Sequence, residues 1–109
     1  MRDKDFREVC LGLPGATESF PFGPETPVYK AANGKVFAIM SEPGAPSPTV
    51  TLKAAPEDGL AVRANHPTIT PGYHMNKRHW LTVPLDVPTE LLVDLVTESY
   101  RLVRPRLTR

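Results

Sequence analysis

The dipeptide Asn33-Gly34 is the feature of this sequence that most constrains the fold. It stands between two runs rich in apolar and β-branched residues, 28–32 and 35–40. Asn-Gly is a preferred pair in two-residue hairpin loops of type I′, because both residues tolerate a positive φ. The sequence therefore predicts a β-hairpin whose loop is Asn33-Gly34.

The register of this hairpin places its lysines. A two-residue loop sets Ala32 opposite Lys35 and Lys30 opposite Phe37, so that Lys30 and Lys35 become diagonal neighbours on one face. Paired lysines near a hairpin tip are consistent with a wing that contacts DNA. Lysines at a hairpin end are also a common way to keep the end solvated, and both interpretations stay open.

Three further segments are predicted to be helices, the first and third from the spacing of their apolar residues and the second from Pro56 and the acidic residues that follow it. The first covers residues 3–12, with acidic residues at its start, and the second runs from Pro56 to about Ala64. The third begins at residues 86–88 and ends at Pro105. Cys10 lies on the apolar stripe of the first helix, where we expect a small buried residue rather than a nucleophile.

The remaining segments predict short strands. Thr49 to Lys53 alternates apolar and polar residues, and His79 to Val83 forms a returning strand. Residues 16–24 contain too many prolines for more than a short extended piece at a sheet edge. The predicted fold is a single α+β domain over residues 1–109, of order α-β(3)-α-β(2)-α, with an antiparallel sheet and helices mainly on one face.

Residues 71–83 carry the main functional signal of the sequence. No acidic residue occurs between Asp58 and Asp86, although the whole chain has a formal charge of only +1. The adjacent Lys77 and Arg78 follow a Pro-Gly turn signal and precede the sole tryptophan, Trp80. Alternation places Trp80 on the opposite face from Leu81. The face that carries Trp80 is open if helices cover only the other side. The competing interpretation is a solvated turn beside a buried Trp80.

Other classes of site find little support in the residue patterns. His74 and His79 are five residues apart, a spacing that suits neither a helix nor a strand as a metal pair. The sequence has no glycine-rich phosphate loop and no nucleophile elbow. We therefore expect no enzyme activity, cofactor or metal. No apolar run reaches about 18 residues and the N-terminus lacks a signal-peptide core, so we expect a cytoplasmic protein without membrane contact. We also expect a monomer.

An ordered set of motifs resembles the MmcQ/YjbR-like proteins, small bacterial domains described as DNA-binding. The motifs are Leu13 to Glu18, Phe20 to Gly23, Lys30, Gly34 to Ala38, Leu52-Lys53, Pro71 to Trp80 and Ser99-Tyr100. The resemblance implies a double-wing arrangement with the element order predicted above. It brings no catalytic or ligand residue set.

These observations lead to two hypotheses of function. The first is a DNA-binding protein that contacts mainly the phosphate backbone. Its phosphate contacts would be Lys30, Lys35, Lys53, Lys77 and Arg78, with His74, Asn76 and Trp80 near bases or sugars. The second is a protein- or peptide-binding adaptor, chaperone-like, that uses the open sheet face with Trp80 and Phe37.

Overall fold

The computed structural model describes residues 1–40, 48–72 and 79–104. These residues form α1 (Asp3–Leu11), β1 (Thr17–Ser19), β2 (Val28–Lys30), β3 (Val36–Met40), β4 (Thr49–Lys53), α2 (Pro56–Asn65), β5 (Thr70–Pro71), β6 (Trp80–Pro84) and α3 (Thr89–Val103). The strands build one antiparallel sheet of order β1-β2-β3-β4-β6-β5. The predicted α+β class is confirmed. The short extended piece predicted at a sheet edge is β1. With it, four strands rather than three lie between α1 and α2.

The two faces of the sheet follow from its register. Val50 pairs with Val83 and Leu52 pairs with Leu81, and all four side chains are buried. α2 approaches this face at the buried Gly59, where a Cβ atom would lie 3.5 Å from Leu81 Cδ2. Because successive strand residues point to opposite faces, their neighbours in β4 and β6 face away from the helix.

The other two helices cover the same face through aromatic pairs. Phe6 of α1 meets Tyr29 of β2 edge to face, with ring centroids 6.3 Å apart. Tyr100 of α3 meets Phe37 of β3 in the same way at 5.4 Å. Edge-to-face contacts are favourable because the positive rim of one ring lies against the negative face of the other. The core therefore lies between the sheet and its three helices, as predicted.

A β-bulge in β3 brings an additional large side chain into this core. Tyr29 pairs with Ala38, whereas the next residue, Lys30, pairs with Val36. Phe37 is thus the extra residue, and both Phe37 and Ala38 are fully buried. A bulge of this kind inserts one residue against its partner strand and increases the local twist.

Ser99 of α3 connects the strands next to this bulge. Its Oγ accepts a hydrogen bond of 2.8 Å from the backbone N–H of Lys53 and donates one of 2.6 Å to the carbonyl oxygen of Phe37. The Ser99 side chain has no exposed area. A single hydroxyl therefore satisfies two backbone groups at the point where β3 and β4 stop pairing directly.

The hairpin loop differs from the predicted type I′ turn. Ala31 N–H donates to the Lys35 carbonyl at 2.9 Å, and Gly34 N–H donates to the Ala31 carbonyl at 2.9 Å. Gly34 has a φ of +81°. The loop therefore has three residues, 32–34, with glycine in the left-handed position, which is the arrangement of a turn followed by a G1 bulge. The two-residue prediction was wrong.

This longer loop also corrects the lysine positions. Lys30 pairs with Val36 and not with Phe37. Lys35 lies opposite Ala31, so Lys35 and Lys30 fall on opposite faces of the hairpin. The predicted diagonal pair of lysines is therefore wrong. The shift by one residue has this effect because the side-chain period of a strand is two.

A tertiary contact stabilises the observed loop. Asn33 Nδ2 donates to the carbonyl oxygen of Val103 at 2.8 Å, at the end of α3. Asn33 Oδ1 accepts from the Lys35 N–H at 3.1 Å. The asparagine thus satisfies a helix carbonyl that has no partner within the helix, and it fixes the hairpin against α3.

Replacing Asn33 with alanine is expected to lower the free energy of unfolding by about 1 to 2 kcal/mol, because both hydrogen bonds are lost at once. Chemical denaturation measures this change. Asn65→Ala, which removes one exposed hydrogen bond within α2, is the control and should have a smaller effect. Equal effects of the two substitutions would show that the contact between hairpin and helix adds nothing.

Candidate nucleic-acid interface

The face of the sheet away from the helices carries Trp80 beside Lys53. The two residues are directly paired across β4 and β6. Lys53 Nζ lies 5.9 Å from the centroid of the Trp80 ring, within the range of a cation–π contact. Trp80 is partly exposed, whereas the next residue, Leu81, is only 3% exposed. The expected placement of Trp80 on the face opposite Leu81 is therefore correct.

Lys30 lies on the same face in β2, which β3 separates from β4. It pairs with Val36 across β2 and β3, and it alternates with the fully buried Tyr29. The pair Lys30/Val36 and the pair Lys53/Trp80 lie side by side where Ser99 links β3 to β4. We call these four residues, Lys30, Val36, Lys53 and Trp80, the Lys/Trp row.

A second row of side chains accompanies the Lys/Trp row along the same strands. Thr51, Thr82 and Thr70 are aligned across β4, β6 and β5, and Ile39 of β3 is opposite Thr51. The described strand residues that point to this face include no Asp and no Glu. At the β2 end the surface closes, because Val28 is only 1% exposed. Thr82 Oγ1 is also buried, whereas Thr70 is exposed and Thr51 partly exposed. The accessible part is thus a basic area around Lys53 and Trp80, with the Thr51 and Thr70 side chains nearby.

The other predicted site residues fall into two groups. Lys35 is exposed at the hairpin tip but belongs to the opposite face from Lys30. His74, Asn76, Lys77 and Arg78 lie outside the described residues. The residues that flank them do lie at the site, because Gly72 donates its N–H to the Trp80 carbonyl at 2.8 Å. The structure therefore places Lys30, Lys53 and Trp80 on one face, with Lys53 and Trp80 in contact, and it places Lys35 on the other face.

Gly72 is fitted closely against Trp80. A Cβ atom on Gly72 would lie 2.7 Å from the Trp80 Cβ and 3.2 Å from its carbonyl carbon and oxygen. Real Cβ atoms do not approach so closely, so a side chain at this position would displace β6. The glycine in the Pro71-Gly72 signal thus lets β5 approach Trp80, a role that turn propensity alone does not predict.

A polar cluster on the helix side was not predicted from the sequence. Glu18 Oε2 accepts hydrogen bonds of 2.9 Å from the Tyr29 hydroxyl and from Arg7 Nε. Burial, followed by the hydrogen bond to Glu18, raises the pKa of Tyr29 well above its ordinary value. Burial likewise raises the pKa of the nearby Cys10 thiol. Cys10 has no exposed area, which confirms its predicted place in the core and disfavours a reactive thiolate.

A cavity of about 230 Å³ lies beside this cluster. Its lining residues are Asp3, Lys4, Arg7, Pro27, Tyr29 and Met40. Pro27 and Met40 are joined by a backbone hydrogen bond of 3.0 Å, at the end of the hairpin strands opposite the loop 32–34. The cavity is therefore separate from the Lys/Trp row in both face and position.

An antiparallel sheet with helices on one face and a basic, aromatic-bearing surface on the other defines an open-faced α+β domain. Within the described residues, no helix has the length and apolar character needed to cross a bilayer. The chain belongs to the YjbR family, whose family model matches residues 11–102. This finding confirms the resemblance noted from the motifs.

Relatives of known sequence are similar over most of the chain. The uncharacterized protein YbdF of Escherichia coli O157:H7 is 39% identical over 99 residues, which cover 89% of this chain and 80% of that protein. The uncharacterized protein YjbR of Escherichia coli K12 is 34% identical over 107 residues, with 93% and 86% covered. Both are thus matched along most of their length.

Solved structures have the same fold. The crystal structure of Deinococcus radiodurans protein DR2400, a DUF419 domain, has a TM-score of 0.84 at 43% identity and covers 93% of this chain and 77% of that chain. A crystal structure of a Pseudomonas syringae protein has a TM-score of 0.83 at 26% identity, with 95% and 100% covered. The arrangement of sheet and helices is therefore shared with these two proteins.

Proposed function

We propose that this protein binds DNA, mainly through contacts with the phosphate backbone. The observation that supports this function is the placement of Lys53 beside Trp80, with Lys30 two strands further along the same face, whose described strand residues include no acid. Cations on such a face attract phosphates without repulsion from neighbouring carboxylates. The protein would act as a binding module rather than an enzyme.

The basic turn adds to this surface in the proposal. In the sequence, Lys77 and Arg78 lie between Gly72 and Trp80. Gly72 donates its N–H to the Trp80 carbonyl, so both ends of this segment lie at the site. With Lys30 and Lys53 they supply four cations, which corresponds to a salt slope of log affinity of about −3 to −4. Lys35 does not belong to this set, because the hairpin directs it to the other face. His74 and Asn76 remain candidates for contacts with sugars or bases.

Replacing Lys30 and Lys53 together with alanine is expected to weaken DNA binding and to make the salt slope shallower by about 1.5 to 2, since two phosphate contacts are lost. The measurement is a titration of labelled oligonucleotides, single-stranded and duplex, at several salt concentrations. The free energy of unfolding should change by no more than about 1 kcal/mol.

The matched control is Lys4→Ala, because Lys4 is exposed on α1, on the helix side of the sheet. It should leave both affinity and salt slope unchanged. The double variant Lys77→Ala/Arg78→Ala tests the basic turn in the same way. If the Lys30/Lys53 variant binds with the parent's salt dependence, these lysines do not contact phosphates and the proposal fails.

Binding of a protein partner is a second candidate function, and it is supported by a different part of the surface. Phe20 and Phe22, in the loop between β1 and β2, are 46% and 68% exposed. Exposed aromatic side chains of this kind are enriched at protein interfaces. Phe37, which the sequence suggested for such an interface, is fully buried, so that assignment was wrong. Absence of DNA binding in the titration would favour this candidate.

A further inference from the structure

The position of Trp80 and Lys53 within the sheet restricts the kind of nucleic acid that can reach them. Both residues lie in inner strands, with β5 beyond β6 on one side and β3 beyond β4 on the other. Six strands spaced about 4.8 Å apart span about 24 Å. The major groove of duplex DNA is about 12 Å wide and admits a helix or a two-stranded ribbon. The sheet is thus too broad to insert this face into the major groove, and the minor groove, about 6 Å wide, is narrower still.

Because base edges in a duplex are accessible only from its grooves, we propose that this face binds single-stranded nucleic acid, with one base stacked on Trp80 and adjacent phosphates at Lys53 and Lys30. This inference rests on the proposed DNA-binding function and specifies its substrate class. Unpaired bases expose their flat faces, and an aromatic ring on a basic surface is the usual platform for them.

The contact between Lys53 and Trp80 is compatible with this role. In the free protein Lys53 Nζ lies over the Trp80 ring at 5.9 Å. A base that stacks on this ring displaces the ammonium group, which then remains close enough to pair with the adjacent phosphate. The exchange is favourable because a stacked base contributes more than a solvent-exposed cation–π contact.

The threonines next to the Lys/Trp row extend the surface along the bound strand. Thr51, which is partly exposed, and Thr70, which is exposed, lie on the same face on either side of Thr82, whose hydroxyl is buried. Thr51 is two residues from Lys53 along β4. Hydroxyl groups both donate and accept hydrogen bonds, so they suit sugar oxygens and base edges alike. The surface therefore combines stacking, charge and hydrogen bonding, and none of these depends on a paired base.

Trp80 makes the inference directly testable, because it is the sole tryptophan of the chain. The intrinsic fluorescence of the intact protein is followed while oligothymidylate, oligouridylate or a duplex of the same length is added. We expect saturable quenching by single strands and at least tenfold weaker binding of the duplex. The two single-stranded probes distinguish DNA from RNA as the source of the bound strand.

Two results would overturn the inference while leaving the proposed function intact. One is duplex binding as tight as single-strand binding. The other is single-strand binding that is visible by anisotropy of a labelled oligonucleotide while the Trp80 fluorescence stays unchanged. If no nucleic acid binds even at low salt, the proposed function itself fails and the inference fails with it.

Substitution of the ring provides an independent readout. Trp80→Leu is expected to weaken single-strand binding by about 5- to 150-fold, the range for one lost base stack, whereas Trp80→Phe should retain most of the affinity. Phe22→Leu, an exposed aromatic elsewhere on the chain, is the control and should bind as the parent does. If Trp80→Leu does not fold, protection of the parent's Trp80 from acrylamide quenching by oligothymidylate decides the question. No protection at saturation contradicts the inference.

Discussion

Replacing Phe37 with alanine is expected to lower the free energy of unfolding by about 3 to 5 kcal/mol. The ring is fully buried and meets Tyr100 edge to face, so its removal leaves a cavity between β3 and α3. Because a domain of this size is stable by about 5 to 15 kcal/mol, the variant would retain only part of its stability or unfold. Chemical denaturation followed by circular dichroism measures the change.

The matched control for Phe37 is Phe22→Ala. The same atoms are removed there from a side chain that is 68% exposed, and the expected change is within about 0.5 kcal/mol. Similar losses at the two positions would contradict the placement of Phe37 at the bulge. A small effect at Phe37 alone would indicate that its side chain lies on the open face, where the sequence had suggested a contact with a protein partner.

Replacing Ser99 with alanine is expected to cost about 2 to 4 kcal/mol, although only one oxygen atom is removed. The substitution leaves the Lys53 N–H and the Phe37 carbonyl without their partner, and each unpaired buried group costs about 1 to 3 kcal/mol. Loss of amide protection at Lys53 in hydrogen exchange would locate the effect at this junction.

Thr97→Ala on the same helix is the control for Ser99. Thr97 is partly exposed, and its substitution should change the free energy of unfolding by less than about 1 kcal/mol. If Ser99→Ala lowers the free energy of unfolding by no more than this, the backbone groups of β3 and β4 form hydrogen bonds with each other when the hydroxyl is absent. The hydrogen bonds of Ser99 would then not be needed to hold the two strands together.

The sequence predicted the elements and the faces of this fold well, because hydrophobic periodicity is a local signal. β4 has the predicted bounds, Thr49–Lys53, and α2 (Pro56–Asn65) ends within one residue of its prediction. The alternation in β6 correctly separated Trp80 from Leu81. Each of these predictions depends only on residues within a few positions of one another.

Features set by distant contacts could not be predicted in this way. Asn33-Gly34 indicated a two-residue loop, but Asn33 bonds to Val103, seventy positions away, and the loop has three residues. The bulge at Phe37 likewise coincides with the position of Ser99. Local propensity gave the right kind of element, whereas tertiary hydrogen bonds determined its register.

The candidate site shows the same division between local and distant information. Lys53 and Trp80 were nominated separately from their strands, and only the pairing of β4 with β6 makes them neighbours. The Glu18 cluster joins three elements, so no spacing in the sequence indicates it. The roles of His74, Asn76, Lys77 and Arg78 remain predictions, because these residues lie outside the described ranges.

The short outer strands of the sheet affect how the molecule behaves when concentrated. β1 has three residues, and β5 has two, one of which is Pro71 without an N–H to donate. An outer strand of this length offers a second copy few backbone groups for continuing the sheet, which limits intermolecular strand addition and fibril growth. The longer and more apolar β3, β4 and β6 are each enclosed between two neighbours. We therefore expect the folded protein to resist amyloid-like association. Association of this kind would first require a partial unfolding that separates β6 from its neighbours and exposes its backbone groups.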